Sequence, residues 1–268
     1  MSIVHSLQGS CCPRLRVFGW MLLGLICLGV LTRPFEASAW QALQTRQPAM
    51  PPNALRPALG QGLVVAVLGG FRTVIADFVW IRINTIWERR DRVTLDAMLR
   101  LVTTLSPQTE LFWINSARML AYDVPHWRIR EEGGYDQVPQ SRQRAIDREQ
   151  AEQAFVLLQG AREIHPNSAR LYLETGQIYL NRLQDEVNAA RWFLLASQQP
   201  GAPYYAARIY AELLRRQGKQ VEAYNYLRHL YRHLPDSPYA QKPIIFDRIR
   251  ELEALLNMPI GQRFNPAP

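Results

Sequence analysis

The sequence predicts an all-α fold, a row of helical hairpins stacked side by side. Three prolines carry that prediction: Pro166, Pro200 and Pro235 close helical segments at intervals of 34 and 35 residues. Each follows a similar pattern of small and bulky residues: Ala154, Leu158 and Ala161, then Ala189, Phe193 and Ala196, then Ala223, Leu227 and Leu230. A recurrence of about 34 residues is produced by paired helices that each bury one face against the next pair. Small residues at helical spacing let two helices approach closely, and the large residue between them fills the groove.

The N-terminal elements come first. Residues 1–16 form a cytoplasmic lead-in that carries Arg14 and Arg16 ahead of an uncharged apolar run, 17–32. A membrane helix needs about 20 residues, and Arg16 and Arg33 can extend this shorter run by snorkelling. The pattern reads as a single-pass signal anchor in the inner membrane, with the rest of the chain exported to the periplasm. A signal cleaved after Ala39 is the alternative, with Ala37 and Ala39 as its small residues and Arg33 and Glu36 against it. Cys11, Cys12 and Cys27 are the only cysteines and all lie in these first elements, which agrees with an exported domain that avoids oxidation. Residues 33–61, with many Gln and Pro, read as a linker.

A helical repeat domain is expected over 62–258. Its first stretch, 63–83, is apolar but contains Arg72, Asp77 and Arg82. Each charge costs about 2.5–3.5 kcal/mol at mid-membrane, so this helix is expected to pack on the first hairpin instead. A first unit joins Trp80, Asn84 and Trp87 to Ala97, Leu101 and Pro107. A second begins at Trp113, Ala117 and Leu120 and resumes at Ala154 and Pro166. Pro107 and Pro166 are 59 residues apart, roughly 25 more than one period. The excess at about 123–140 contains Pro125, Gly133, Gly134 and Pro139, and reads as an ordered loop before an extended helix start. Trp127 and Tyr135 within it either cover an apolar face or touch a partner. The third unit places Tyr172, Gly176 and Tyr179 on one face of its first helix. After Pro235, the residues Ile244, Ile245, Ile249, Leu252, Leu255 and Leu256 recur at helical spacing, as a C-terminal capping helix requires. Residues 259–268 read as a flexible tail.

Tyr172, Gly176, Tyr179, Ala189, Phe193, Ala196 and Pro200 resemble the signature of the tetratricopeptide-repeat (TPR) family, with one residue inserted and Thr175 where a leucine is usual. The next unit keeps Ala223 and Pro235 but has Ala211 for the glycine and Leu227 for the phenylalanine. Residues 68–72 and 76–80 also look like a segment of membrane-anchored bacterial TPR proteins. The resemblance implies a concave groove lined by the first helix of each pair. It assigns to that groove Ile114, Asn115 and Arg118, then Arg170, Leu173 and Gln177, then Arg208, Glu212 and Arg215. Family members that clamp a C-terminal carboxylate use a set of lysines, asparagines and an arginine that this chain matches only loosely. A protein or peptide partner is therefore expected, held by a scaffold or adaptor of the cell envelope. The alternative is an accessory subunit of a secretion, polysaccharide-export or pilus machine that docks through 63–83.

The formal charge is +8, from 31 basic and 23 acidic residues, and only Lys219 and Lys242 among the basic ones are lysines. No run exceeds two adjacent arginines, and acids interleave with them, so nucleic acid is not an expected partner. His229 and His233 have the i, i+4 spacing of a metal pair, but no HExxH and no third ligand accompany them. Near a helix C-terminus they also suit the helix dipole. The sequence has no nucleophile elbow and no phosphate loop. No enzyme activity, cofactor, metal or small-molecule ligand is expected.

Overall fold

The computed structural model describes residues 70–266, and these residues form helices and connections with no strand among them. The lead-in, the apolar segment 17–32, the linker 33–61 and residues 63–69 lie outside the described residues. Among the described residues, no helix is long and apolar enough to cross a membrane. The helices are α1 (Arg72–Arg89), α2 (Arg92–Leu105), α3 (Glu110–Arg118), α4 (Val124–Glu131) and α5 (Gln140–Ile164). They continue as α6 (Ala169–Asn181), α7 (Glu186–Ser197), α8 (Tyr205–Arg216), α9 (Gln220–His233) and α10 (Lys242–Leu255).

Their ends follow from local chemistry. The side chains of Asp91, Ser168 and Asp185 accept hydrogen bonds from the backbone N–H three residues on, capping α2, α6 and α7. Such a cap satisfies a donor that the first helical turn leaves unpaired. Pro243 stands in the first turn of α10, where a missing N–H costs nothing. Most helices pack against their neighbours in the chain, α1 on α2, α6 on α7, α7 on α8, α8 on α9 and α9 on α10, while α3 packs mainly on α5.

The small and large residues of the repeat occupy the interfaces. Ala154, Leu158, Ala161, Ala189, Phe193, Ala196 and Ala223 are all fully buried. Gly176 is a close-approach point, since a Cβ there would lie 3.2 Å from the Phe193 ring. The stop turns at Pro107 and Pro166 share a further feature. The Trp113 indole donates to the carbonyl of Pro107 at 2.9 Å, and the Tyr172 hydroxyl donates to that of Pro166 at 3.2 Å. In each case the aromatic lies six residues after its proline, so both turns are tied to the helix that follows.

Three expectations need correction, and one open alternative is resolved. Ala97 is exposed, and α2 buries Leu95, Leu99 and Val102 instead. The excess at 123–140 is largely helical. A five-residue π turn, Met119–Asp123, carries the helix on into α4, with Pro125 in its first turn. The loop shrinks to residues 132–139, pinned by Arg142 on Glu132 and by Gln143 on the carbonyls of Tyr135 and Val138. Trp127 is buried and meets Trp87 edge-on at 6.1 Å, so it covers the first hairpin, while Tyr135 is exposed. The tail is tied down as well. Phe264 is buried among Tyr224, Leu227, Ile249 and Leu252, and its N–H donates to the buried Glu253 carboxylate.

Candidate partner-binding groove

The candidate surface runs along α3, α6, α8 and α10. Two contacts set α6 beside α3. The Ser168 hydroxyl donates to the Glu110 carboxylate, and the His165 ring donates to the Pro107 carbonyl at 3.0 Å. Farther along the same helices, Arg118 reaches across to Glu174. Its Nε and terminal nitrogen lie 2.9 Å and 2.7 Å from one carboxylate oxygen, Oε2. Glu174 is 2% exposed, and its other oxygen has no hydrogen-bond partner among the described residues. The hydrogen bond to Glu174 holds the Arg118 guanidinium more firmly protonated than usual.

Two tyrosines adjoin this pair. Tyr122 is half-buried and bonds to the Asn181 side chain; burial, then the Glu174 charge, pushes its phenol up. Tyr205, at the start of α8, is exposed and lies within electrostatic range of Arg118. The surface then passes to a cleft of about 250 Å³ between α8 and α10. Ile209, Ala211, Leu227 and Ile245 give it an apolar floor, and Tyr205, Arg208, Glu212, Ile244 and Arg248 form its rim. Arg208 donates to the Gln241 side chain. Glu212 accepts from Arg215 at 2.9 Å and 2.6 Å and from Arg216 at 3.3 Å. The hydrogen bond from Arg215 is the main reason that the Glu212 carboxyl sits below its usual range despite its burial. An apolar floor with cations at the rim suits an apolar side chain that carries an acidic neighbour.

The residues assigned to the groove divide into three groups. Arg118, Arg208 and Glu212 line the surface described. Arg215 is turned onto Glu212, and Asn115, Arg170 and Gln177 take no part in these contacts. Arg170 is exposed, and Asn115 and Gln177 are half-buried. Ile114 and Leu173 are buried in the core and cannot face a ligand. On α6 the residue that meets Arg118 is Glu174, one residue further along and itself buried, so Arg118 is the exposed member of the pair. The sequence held a signal for it, because Glu174 is the only acid in α6. Ile244 and Arg248 were missed because they sit on the helix that closes the stack.

The two histidines at i, i+4 contact each other on α9. The His229 and His233 rings lie 4.2 Å apart and His233 Nδ1 donates to the His229 carbonyl at 2.7 Å. Among the described residues, no group of three His, Cys, Asp or Glu side chains is placed to hold a metal ion. No family model, curated protein or solved structure matches the chain.

Proposed function

We propose that this chain is a membrane-anchored scaffold of the cell envelope, a TPR-like stack of hairpins that holds a segment of another protein. The observation that carries this reading is the continuous surface from Arg118–Glu174 through Tyr205 to the cleft under Arg208 and Arg248. Its mechanism is recognition without catalysis. An apolar side chain of the partner enters the cleft between α8 and α10, and acidic groups beside it meet Arg208 and Arg248. The apolar run 17–32 supports the anchor, and Arg14 and Arg16 ahead of it support an exported repeat domain.

The test is comparative capture with the full-length protein solubilised from its own membrane. Ile244→Glu places a charge at the rim of the cleft, and Arg208→Ala removes a cation there. Both should lower recovery of the co-purifying protein about tenfold, a loss of about 1.4 kcal/mol. Val187→Glu, on the exposed part of α7 outside the surface, should leave recovery unchanged. Equal recovery from all the variants would reject the groove. The accessory-subunit reading, with docking through 63–83, has one observation in its favour: α1 exposes an apolar stripe.

A further inference from the structure

Helix α1 has two apolar faces, and among the described residues only one is covered. Ile75, Ala76, Val79, Ile83 and Ile86 are buried, with α2 packed on the helix. Phe71, Val74, Phe78 and Ile81 are 61%, 50%, 68% and 62% exposed. These four recur at intervals of three, four and three residues, which are the a and d positions of two heptads. Gly70, at φ +98°, bounds this seam on one side, and Glu88 takes the next d position on the other.

The flanks of the seam carry opposite charges. Asp77 occupies a g position and Arg82 the following e position, and both are exposed. Neither has an ion-pair partner among the described residues. In a parallel pair of helices, a g residue of one faces the e residue five positions on in the other. Asp77 then meets Arg82 of the second copy, and two-fold symmetry makes this contact twice. An antiparallel pair would instead bring g against g and e against e, Asp77 near Asp77 and Arg82 near Arg82. A bilayer surface would accept the apolar stripe but would bring Asp77 and Glu88 onto anionic head groups. We infer that α1 docks on α1 of a second copy of this chain as a parallel helix pair, with Asp77 and Arg82 setting its direction. A seam of two heptads is short. Two copies anchored in one bilayer would meet at high effective concentration, and a parallel pair sends both N-termini the same way.

The test uses the full-length chain in detergent micelles, with self-association followed by sedimentation equilibrium. The wild-type chain should show a monomer–dimer equilibrium. Asp77→Arg alone or Arg82→Asp alone should raise its dissociation constant about tenfold, because each sets like charges face to face. The combined Asp77→Arg, Arg82→Asp chain should recover the wild-type constant to within about threefold. Phe78→Glu should abolish the dimer and leave the far-ultraviolet circular dichroism unchanged. Direction is read in a chain whose three cysteines are replaced by serine. Val74→Cys and Ile81→Cys should each form disulfide-linked homodimers on oxidation, and a mixture of the two should form no mixed dimer. Failure of the charge exchange to restore the dimer, or a mixed 74–81 dimer, overturns the proposal. So does a wild-type chain that stays monomeric at every concentration, which leaves the stripe to lipid or to an unrelated protein.

Discussion

Removing the Arg118 guanidinium would strand the Glu174 carboxylate in the wall between α3 and α6. Both of its nitrogen contacts fall on one oxygen, at 2.9 Å and 2.7 Å. The carboxylate is almost wholly buried, whereas the Arg118 side chain is 52% exposed. Breaking a fully buried ion pair costs about 3–5 kcal/mol, and an exposed pair is worth about 0–1 kcal/mol. This pair lies between those limits, so Arg118→Ala should cost about 2–3 kcal/mol. Glu174→Gln keeps the shape and removes the charge, and should cost about 1 kcal/mol. The double variant should be little worse than Arg118→Ala alone, which gives a coupling energy of about 1 kcal/mol. Urea unfolding of the four proteins, followed by far-ultraviolet circular dichroism, measures it. Strictly additive costs, with coupling below about 0.5 kcal/mol, would refute the claim that this pair clamps α3 to α6.

Other perturbations read other parts of the stack. Gly176→Ala sets a Cβ 3.2 Å from the ring of the fully buried Phe193, which must shift by a few tenths of an ångström to admit it. Despite the better helix propensity of alanine, it should destabilise by about 1–3 kcal/mol in the same unfolding experiment. Burial pushes the Glu253 carboxyl up, but the Phe264 N–H, the Arg250 guanidinium and the Tyr224 hydroxyl outweigh it and hold it below the usual range. Its contribution to stability is therefore complete above the ordinary glutamate pKa of about 4.3 and is lost as pH falls through the lower folded value. Glu253→Gln should flatten that acid limb in unfolding measured against pH. Gln184 stands at φ +54°, a left-handed conformation that suits glycine. Gln184→Gly should raise stability by about 0.5–1 kcal/mol, read as a higher melting temperature.

The helix pairs were legible because an interface between stacked helices needs small residues at fixed spacing, and Ala154, Ala189 and Ala223 supply them. Spacing could not reveal how the extra residues after Asp123 were used. Proline breaks a helix interior but is tolerated in a first turn, and the π turn at Met119–Asp123 shifts Pro125 into such a position. Ala97 was misleading because α2 is buried along a different stripe, through Leu95, Leu99 and Val102. The tail was unreadable for another reason: a single aromatic, Phe264, fixes it, and one residue makes no periodic pattern. At the candidate groove, helical spacing did not reveal which residue of α6 Arg118 meets. Neighbouring residues on a helix differ by about 100°, so of the adjacent buried residues Leu173 and Glu174 only Glu174 meets Arg118. The exposed stripe of α1 was hidden because its apolar residues appear in sequence as one run with the buried ones.

The central claim is that the wall of α3, α6, α8 and α10 is the working surface. The most direct measurement is photo-crosslinking in intact cells, with a photoreactive amino acid introduced at single positions of the full-length chain. Positions 205 and 244, at the rim of the cleft, should yield one discrete adduct with another protein. Positions 187 and 221, exposed on α7 and α9, should yield none. Adducts from 187 and 221 with none from 205 and 244 would contradict the account.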